Sequence, residues 1–123
     1  MKIIEAINRI DAVKPNNYTQ DEKIEWLSRL DWAIKVEIVD THEGADAVIF
    51  DGYSENTPLE TELIAPAPYD DVYLKWIEAQ IDYANGEIGK YNNAIRAYED
   101  VYTAFESWYN RKHKPLGKQF KYF

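Results

Sequence analysis

The stretch "IDYANGEIGKYNNAIRAY" (residues 81–98) carries two glycines and three asparagines, residues that end helices, within a region that otherwise reads as one long helix. Around it, Leu74, Ile77, Ile81, Ala84, Ile88, Tyr91, Ile95, Tyr98, Tyr102, Phe105 and Tyr109 recur at alternating spacings of three and four. That is the period of a helix seam, and it does not lose phase at the glycines. Two geometries fit. An unbroken seam favours one long bent helix, whereas Asn85-Gly86 is a strong C-terminal stop and favours the corner of an antiparallel pair. In either geometry, two long helical segments dominate the C-terminal half.

Upstream, Ile3, Ile7 and Ile10 stand at helical spacing with Ile4 beside them, and Lys14-Pro15 ends that run. A first helix over 2–13 follows. Thr19-Gln20-Asp21-Glu22 has the form of a capping box. It opens a second helix over roughly 20–41, whose stripe is Ile24, Leu27, Leu30, Ile34 and Ile38, widened by Trp26 and Ala33, with Gly44 as its stop. Between Gly44 and Pro68 the period changes. "AVIFDGY" and "ETELIAP" are short β-prone runs joined by a polar connection, which predicts a small hairpin or, failing that, an extended loop over about 45–66. Pro68, Asp70 and Asp71 then mark the start of the next helix, with carboxylates at the positive end of its dipole. The fold class expected is a mainly α, single domain over 1–110, with an inserted loop or hairpin and a C-terminal tail over 111–123.

The chain has 123 residues, 46% hydrophobic and 15% aromatic, with ten Tyr and four Trp, so it is large and apolar enough to bury a core. It contains no Cys, which excludes disulfides and cysteine-based metal sites. The opening "MKIIEAINRIDAV" is interrupted by Glu5, Asn8, Arg9 and Asp11. Neither a signal peptide nor a membrane span is expected there, and the expectation is a soluble intracellular protein.

The net charge of −8 conceals an asymmetry. Arg111, Lys112, Lys114, Lys118 and Lys121 make the last thirteen residues +5, so the preceding 110 hold nine basic against all 22 acidic residues, −13. An acidic body is poorly suited to grip duplex DNA, whose phosphates require a basic surface. The basic tail also carries Phe120, Tyr122 and Phe123, which suit it to a contact.

Chemistry is sparse. His42 and His113 lack the Glu-x-x-His spacing of helical di-metal sites. Acidic pairs such as Asp70/Asp71 and Glu60/Glu62 read as caps and surface in so acidic a chain. Gly86 and Gly89 are not followed by Lys-Ser or Lys-Thr, so they form no phosphate loop. No cofactor, metal or catalytic residue is assigned, and no enzyme is expected. The aromatic stripe reads as core plus interface, with Trp76, Tyr83 and Trp108 flanking the seam as candidate protein contacts beside Arg111, Lys112, Lys114, Lys118, Phe120, Lys121, Tyr122 and Phe123.

"TELIAPAPYDDVYLKWIEAQIDYANGEIGKYNNAIRAYEDVYTAFESWYNRKHKP" (61–115), with "YTQDEKIEWLSRLDWAIKVEIVDTHEG" (18–44) and "FDGY" (50–53), resembles the small helical head-to-tail connector, or adaptor, proteins of tailed bacteriophages and prophages. The likeness is one of overall pattern. It implies a non-enzymatic virion neck component, made in the host cytoplasm, that assembles as a ring, usually twelve-fold, between the portal protein and an adjacent neck or stopper protein. DNA would be passing cargo only, and the isolated chain could be a monomer. A small helical regulatory or binding protein acting on a protein partner is the alternative reading.

Overall fold

The computed structural model describes residues 1–116. Four α-helices are found among them: α1 (Ile3–Val13), α2 (Gln20–Glu37), α3 (Asp71–Ala84) and α4 (Ile88–Lys112).

The first two helices follow their local signals. α1 buries Ile3, Ala6, Ile7 and Ile10, and the Lys14 N–H closes it on the Ile10 carbonyl at 2.8 Å. At the start of α2 both halves of the capping box form. Glu22 N–H donates to Thr19 Oγ1 at 3.1 Å, and Thr19 N–H donates to Glu22 Oε1 at 2.9 Å. The stripe Ile24, Leu27, Leu30 and Ile34 is buried together with Ile38. The helix itself stops at Glu37, short of the expected boundary, and Val39–Thr41 tightens into a 3-10 turn before Gly44 at φ +88°.

The glycine-rich stretch is a corner. α3 ends in a Schellman motif, in which Gly86 N–H donates to the Tyr83 carbonyl at 3.0 Å and Glu87 N–H to the Asp82 carbonyl at 2.9 Å. Gly86 takes φ +75°, a left-handed conformation open to it because it has no Cβ. The bent-helix alternative is thereby overturned. Ring pairs Tyr83–Tyr91 (5.3 Å), Trp76–Tyr98 (5.0 Å) and Tyr69–Trp108 (5.2 Å) show the antiparallel course of the two helices. The alternating spacing arises because both helices face one shared core. Ile77, Ile81, Phe105 and Tyr109 lie in that core, while Ala84 and Ile88, at the corner, are exposed.

Of the two forms expected over 45–66, hairpin or extended loop, the extended one is found. The described residues contain no strand ladder, only isolated bridges between Lys2 and Glu62 and between His42 and Pro115. After a 3-10 turn at Ala45–Ala47, the segment crosses the helices as an extended strap. Its backbone finds partners elsewhere. Ile3 N–H donates to the Thr61 carbonyl and Ile4 N–H to the Leu59 carbonyl, both at 3.0 Å, and Leu63 N–H donates to the Met1 carbonyl at 2.9 Å. The strap thus satisfies donors that the first turn of α1 leaves without helical partners. It also buries Leu63 and Ala65 in the core.

α2 runs antiparallel to α3. Near the corner, the Tyr18 hydroxyl donates to Asn85 Oδ1 at 2.6 Å, and at the other end the Tyr102 hydroxyl of α4 donates to Glu37 Oε1 at 2.6 Å. Further along, the first residues after α4 pair antiparallel with the turn after α2. Glu43 N–H donates to the Lys114 carbonyl and Leu116 N–H to the Thr41 carbonyl, both at 2.8 Å.

Candidate functional site

The three aromatic candidates on the C-terminal helices have different placements. Trp76 Nε1–H donates to the Trp26 carbonyl at 2.8 Å, and its ring lies against Tyr98, so it is engaged between α2, α3 and α4. Trp108 is half-buried against Tyr69 and Phe105. Tyr83 is 63% exposed, near Ile88 at the corner. Arg111 and Lys112 are exposed in the last turn of α4, where they complement the negative end of its dipole. Lys114 is exposed, with its backbone held by Glu43. Lys118, Phe120, Lys121, Tyr122 and Phe123 lie outside the described residues.

The structure adds a surface that the reading of helical stripes missed. Trp32 and Val36, one turn apart on the outer face of α2, are 44% and 58% exposed, and Ile49 on the strap is 93% exposed. Phe50 joins them, its ring 4.8 Å from that of Trp32 and 4.9 Å from that of Tyr53. Gly52, at φ +89°, brings the strap so close that a Cβ there would sit 3.2 Å from Trp32 Nε1. Below the strap is an open depression of about 370 Å³ lined by Val48, Phe50, Tyr53 and Ile64 among others. The signal for this patch is present in the sequence: Trp32 and Val36 stand four apart, opposite the buried stripe.

A buried carboxylate fixes the strap that carries half of this patch. Asp31 of α2 is fully buried. It accepts from the Tyr53 hydroxyl at 2.5 Å, the Tyr73 hydroxyl at 2.6 Å and the Ile64 N–H at 3.1 Å. The Tyr73 oxygen in turn accepts from the Ala65 N–H at 2.7 Å. Burial outweighs these donors and pushes the Asp31 carboxyl up to about 6. Burial beside the same carboxylate also raises the Tyr53 and Tyr73 hydroxyls above the usual range. Ser28 Oγ accepts from the Tyr53 N–H at 3.0 Å, so side chains of α2 hold Tyr53 at both its backbone and its ring.

Most of the remaining polar groups are occupied in structural contacts, the buried His113 Nδ1 being without a hydrogen-bond partner among the described residues. His42 is buried, its Nδ1–H donating to the Ile38 carbonyl at 2.5 Å and its Nε2 facing Asn110 Oδ1 at 2.6 Å. The His113 ring stacks on Tyr109 at 3.9 Å. A depression of about 300 Å³ between α3 and α4 is lined by Lys14, Lys75 and Lys90. Each of these lysines has its own carboxylate: Lys14 lies 2.8 Å from buried Asp82, Lys75 3.9 Å from Glu78 and Lys90 2.8 Å from Glu87. Among the described residues no group of three His, Cys, Asp or Glu side chains is placed to share a metal ion. No described helix is long and apolar enough to cross a membrane.

No protein-family model, curated protein or solved structure matches the chain.

Proposed function

We propose that this chain is a non-enzymatic structural subunit of a phage or prophage virion neck, seated as a ring member between the portal protein and the next connector. The observation that carries the reading is the set of exposed apolar side chains Trp32 and Val36 on α2 and Ile49 on the strap, with Phe50 half-buried against Trp32. It is distinct from the exposed Tyr83 and Ile88 at the helical corner. A closed ring of identical subunits needs two different surfaces on each copy, because its contacts are head-to-tail. The α2–strap patch and the α3–α4 corner are two such surfaces, on different elements of the fold. The basic aromatic segment from Arg111 onward supplies a third contact, suited to the portal by charge and by Phe120, Tyr122 and Phe123. The acidic body suits a wall past which DNA slides without adhering.

The test is binding to the portal protein encoded in the same genome, compared between the native chain and the double charge reversal Lys118→Glu/Lys121→Glu. The reading predicts a complex that weakens at least tenfold on reversal and weakens with added salt. No binding by the native chain would overturn it.

A further inference from the structure

We infer that residues 49–58 of the strap are latched to α2 by one buried acid: with Asp31 protonated the segment is held down, and ionisation of Asp31 lets it lift as a unit.

The first observation is how lightly the segment is held. His42, Leu63 and Ala65 are buried, and no residue between His42 and Leu63 is. The turn at Ser54–Thr57 bonds within itself, Thr57 N–H donating to the Ser54 carbonyl at 3.0 Å and Ser54 N–H to Thr57 Oγ1 at 2.8 Å. Among the described residues, both hydrogen bonds that tie 49–58 to a helix belong to Tyr53, one from its N–H to Ser28 and one from its hydroxyl to Asp31. Phe50 adds a ring contact with Trp32. The ends stay fixed without them. The Leu59 and Thr61 carbonyls accept from the start of α1, and the other end leaves buried His42 through Gly44, at φ +88°. Lifting 49–58 therefore breaks the two Tyr53 bonds and the Phe50–Trp32 contact and takes no fully buried side chain out of the core.

The second observation is what the acid needs in each protonation state. Ionised, Asp31 has three donors and no access to solvent. Tyr73 is buried in α3 and Ile64 sits between buried Leu63 and Ala65, so Tyr53 is the donor that can leave. The depression of about 370 Å³ is lined by Tyr53 and Ile64, and it admits water to the carboxylate once Tyr53 has left. Protonated, the carboxyl carries a hydrogen that needs an acceptor. The Tyr73 oxygen is taken by the Ala65 N–H, whereas the Tyr53 oxygen, 2.5 Å from Asp31 Oδ2, has no other partner among the described residues. The acid form thus suits the closed segment and the ionised form the open one.

The direction agrees with the charges around the site. Burial is the chief influence on Asp31 and raises its carboxyl from 3.8 to about 6. The Tyr53 and Tyr73 hydroxyls, the Ile64 N–H and the N-terminal ammonium oppose it and are outweighed. No side chain of α1 or α4 bonds to Asp31 among the described residues. The closed segment holds this proton more tightly than an open one, in which water reaches the group. Closure is strongest below the ordinary carboxyl value and weakens as pH rises through the folded one, by up to about 100-fold in the opening equilibrium. Opening carries Phe50 off Trp32 and bares the α2 face around Ser28 and Trp32. This holds whatever partner the protein has.

Amide exchange at position 53, followed by NMR from about pH 4 to about pH 7 and corrected for the intrinsic pH dependence of exchange, tests the latch. Protection of the Tyr53 amide should fall by up to about 100-fold across this range in the native protein and stay level in Asp31→Asn. It should also be insensitive to urea below the unfolding transition, as a local opening is, while Ile64 follows urea with the core. Tyr53→Phe keeps the ring and removes the latch, and the amide at position 53 should then lose about tenfold in protection at about pH 4. Native Tyr53 protection that is level with pH, or that falls with urea at the slope of the core, would overturn the inference. So would unchanged protection in Tyr53→Phe.

Discussion

The Tyr73 hydroxyl of α3 donates to the Asp31 carboxylate of α2 at 2.6 Å, both groups fully buried and 42 residues apart in sequence. Through this bond and its neighbours, two helices and the strap share one polar node. The node decides where the strap lies, and so where Phe50 and Ile49 face.

Tyr73→Phe removes the donor to Asp31 and leaves the buried Ala65 N–H without its acceptor. An unsatisfied buried donor costs about 1–3 kcal/mol. Urea unfolding should show a loss of that size with an unchanged slope, and faster amide exchange at Ile64 and Ala65.

The pH dependence follows from Asp31. Its carboxyl is raised from an ordinary 3.8 to about 6 in the folded state, chiefly by burial. The folded protein therefore binds this proton more tightly than the unfolded chain. The contribution is greatest below the unfolded value and is lost as pH rises through the folded one. Relative to Asp31→Asn, the native protein should lose up to about 3 kcal/mol of stability between about pH 4 and about pH 7. Parallel profiles for the two proteins would contradict this.

The two glycines of the corner should respond with opposite sign. Gly86→Ala forces a Cβ into a left-handed backbone at φ +75° and should cost about 1 kcal/mol. Gly89 lies inside α4 with ordinary backbone angles, and nothing lies within 4 Å of an added Cβ. Gly89→Ala should stabilise by about 0.4–1 kcal/mol. Thermal melts of both variants check the pair.

Phe105→Ala should be the more damaging of two changes on α4. Phe105 is fully buried between Tyr69, Trp108 and Tyr109, and its truncation should cost about 3–5 kcal/mol. Asn92, on the exposed side of the same helix, should tolerate Ala within about 0.5 kcal/mol. Chemical unfolding of the two variants separates them.

Local signals were legible in the sequence wherever one residue's chemistry decided the outcome. Thr19 and Glu22 make their capping box, and Ile24, Leu27, Ile34 and Ile38 form the buried stripe. The corner was ambiguous because the seam spacing reflects a common core and not a continuous axis. The Schellman bonds at Gly86 and Glu87 depend on how α4 packs back on α3. The strap was left between a hairpin and an extended loop because β-prone composition records a preference for extended backbone without naming the partner. Its partners, Met1, Ile3 and Ile4, are nearly sixty residues away in sequence.

Asp31 carried a readable sign. It stands four after Leu27 and three before Ile34, an acid placed in an apolar stripe, and such a position requires buried donors. Which donors it recruits, Tyr53 and Tyr73, is a property of the assembled fold. The surface patch was missed for a related reason. An apolar stripe marks the buried face of a helix, and Trp32 and Val36 point the other way.

The central claim, a ring subunit seated on a portal, is tested most directly by the mass of the purified protein in solution, alone and mixed with the portal protein encoded in the same genome. The account predicts a small species alone and, with the portal, a ring-sized complex containing one copy of this chain per portal subunit. A protein that keeps its own mass in the mixture at both low and moderate salt would contradict it.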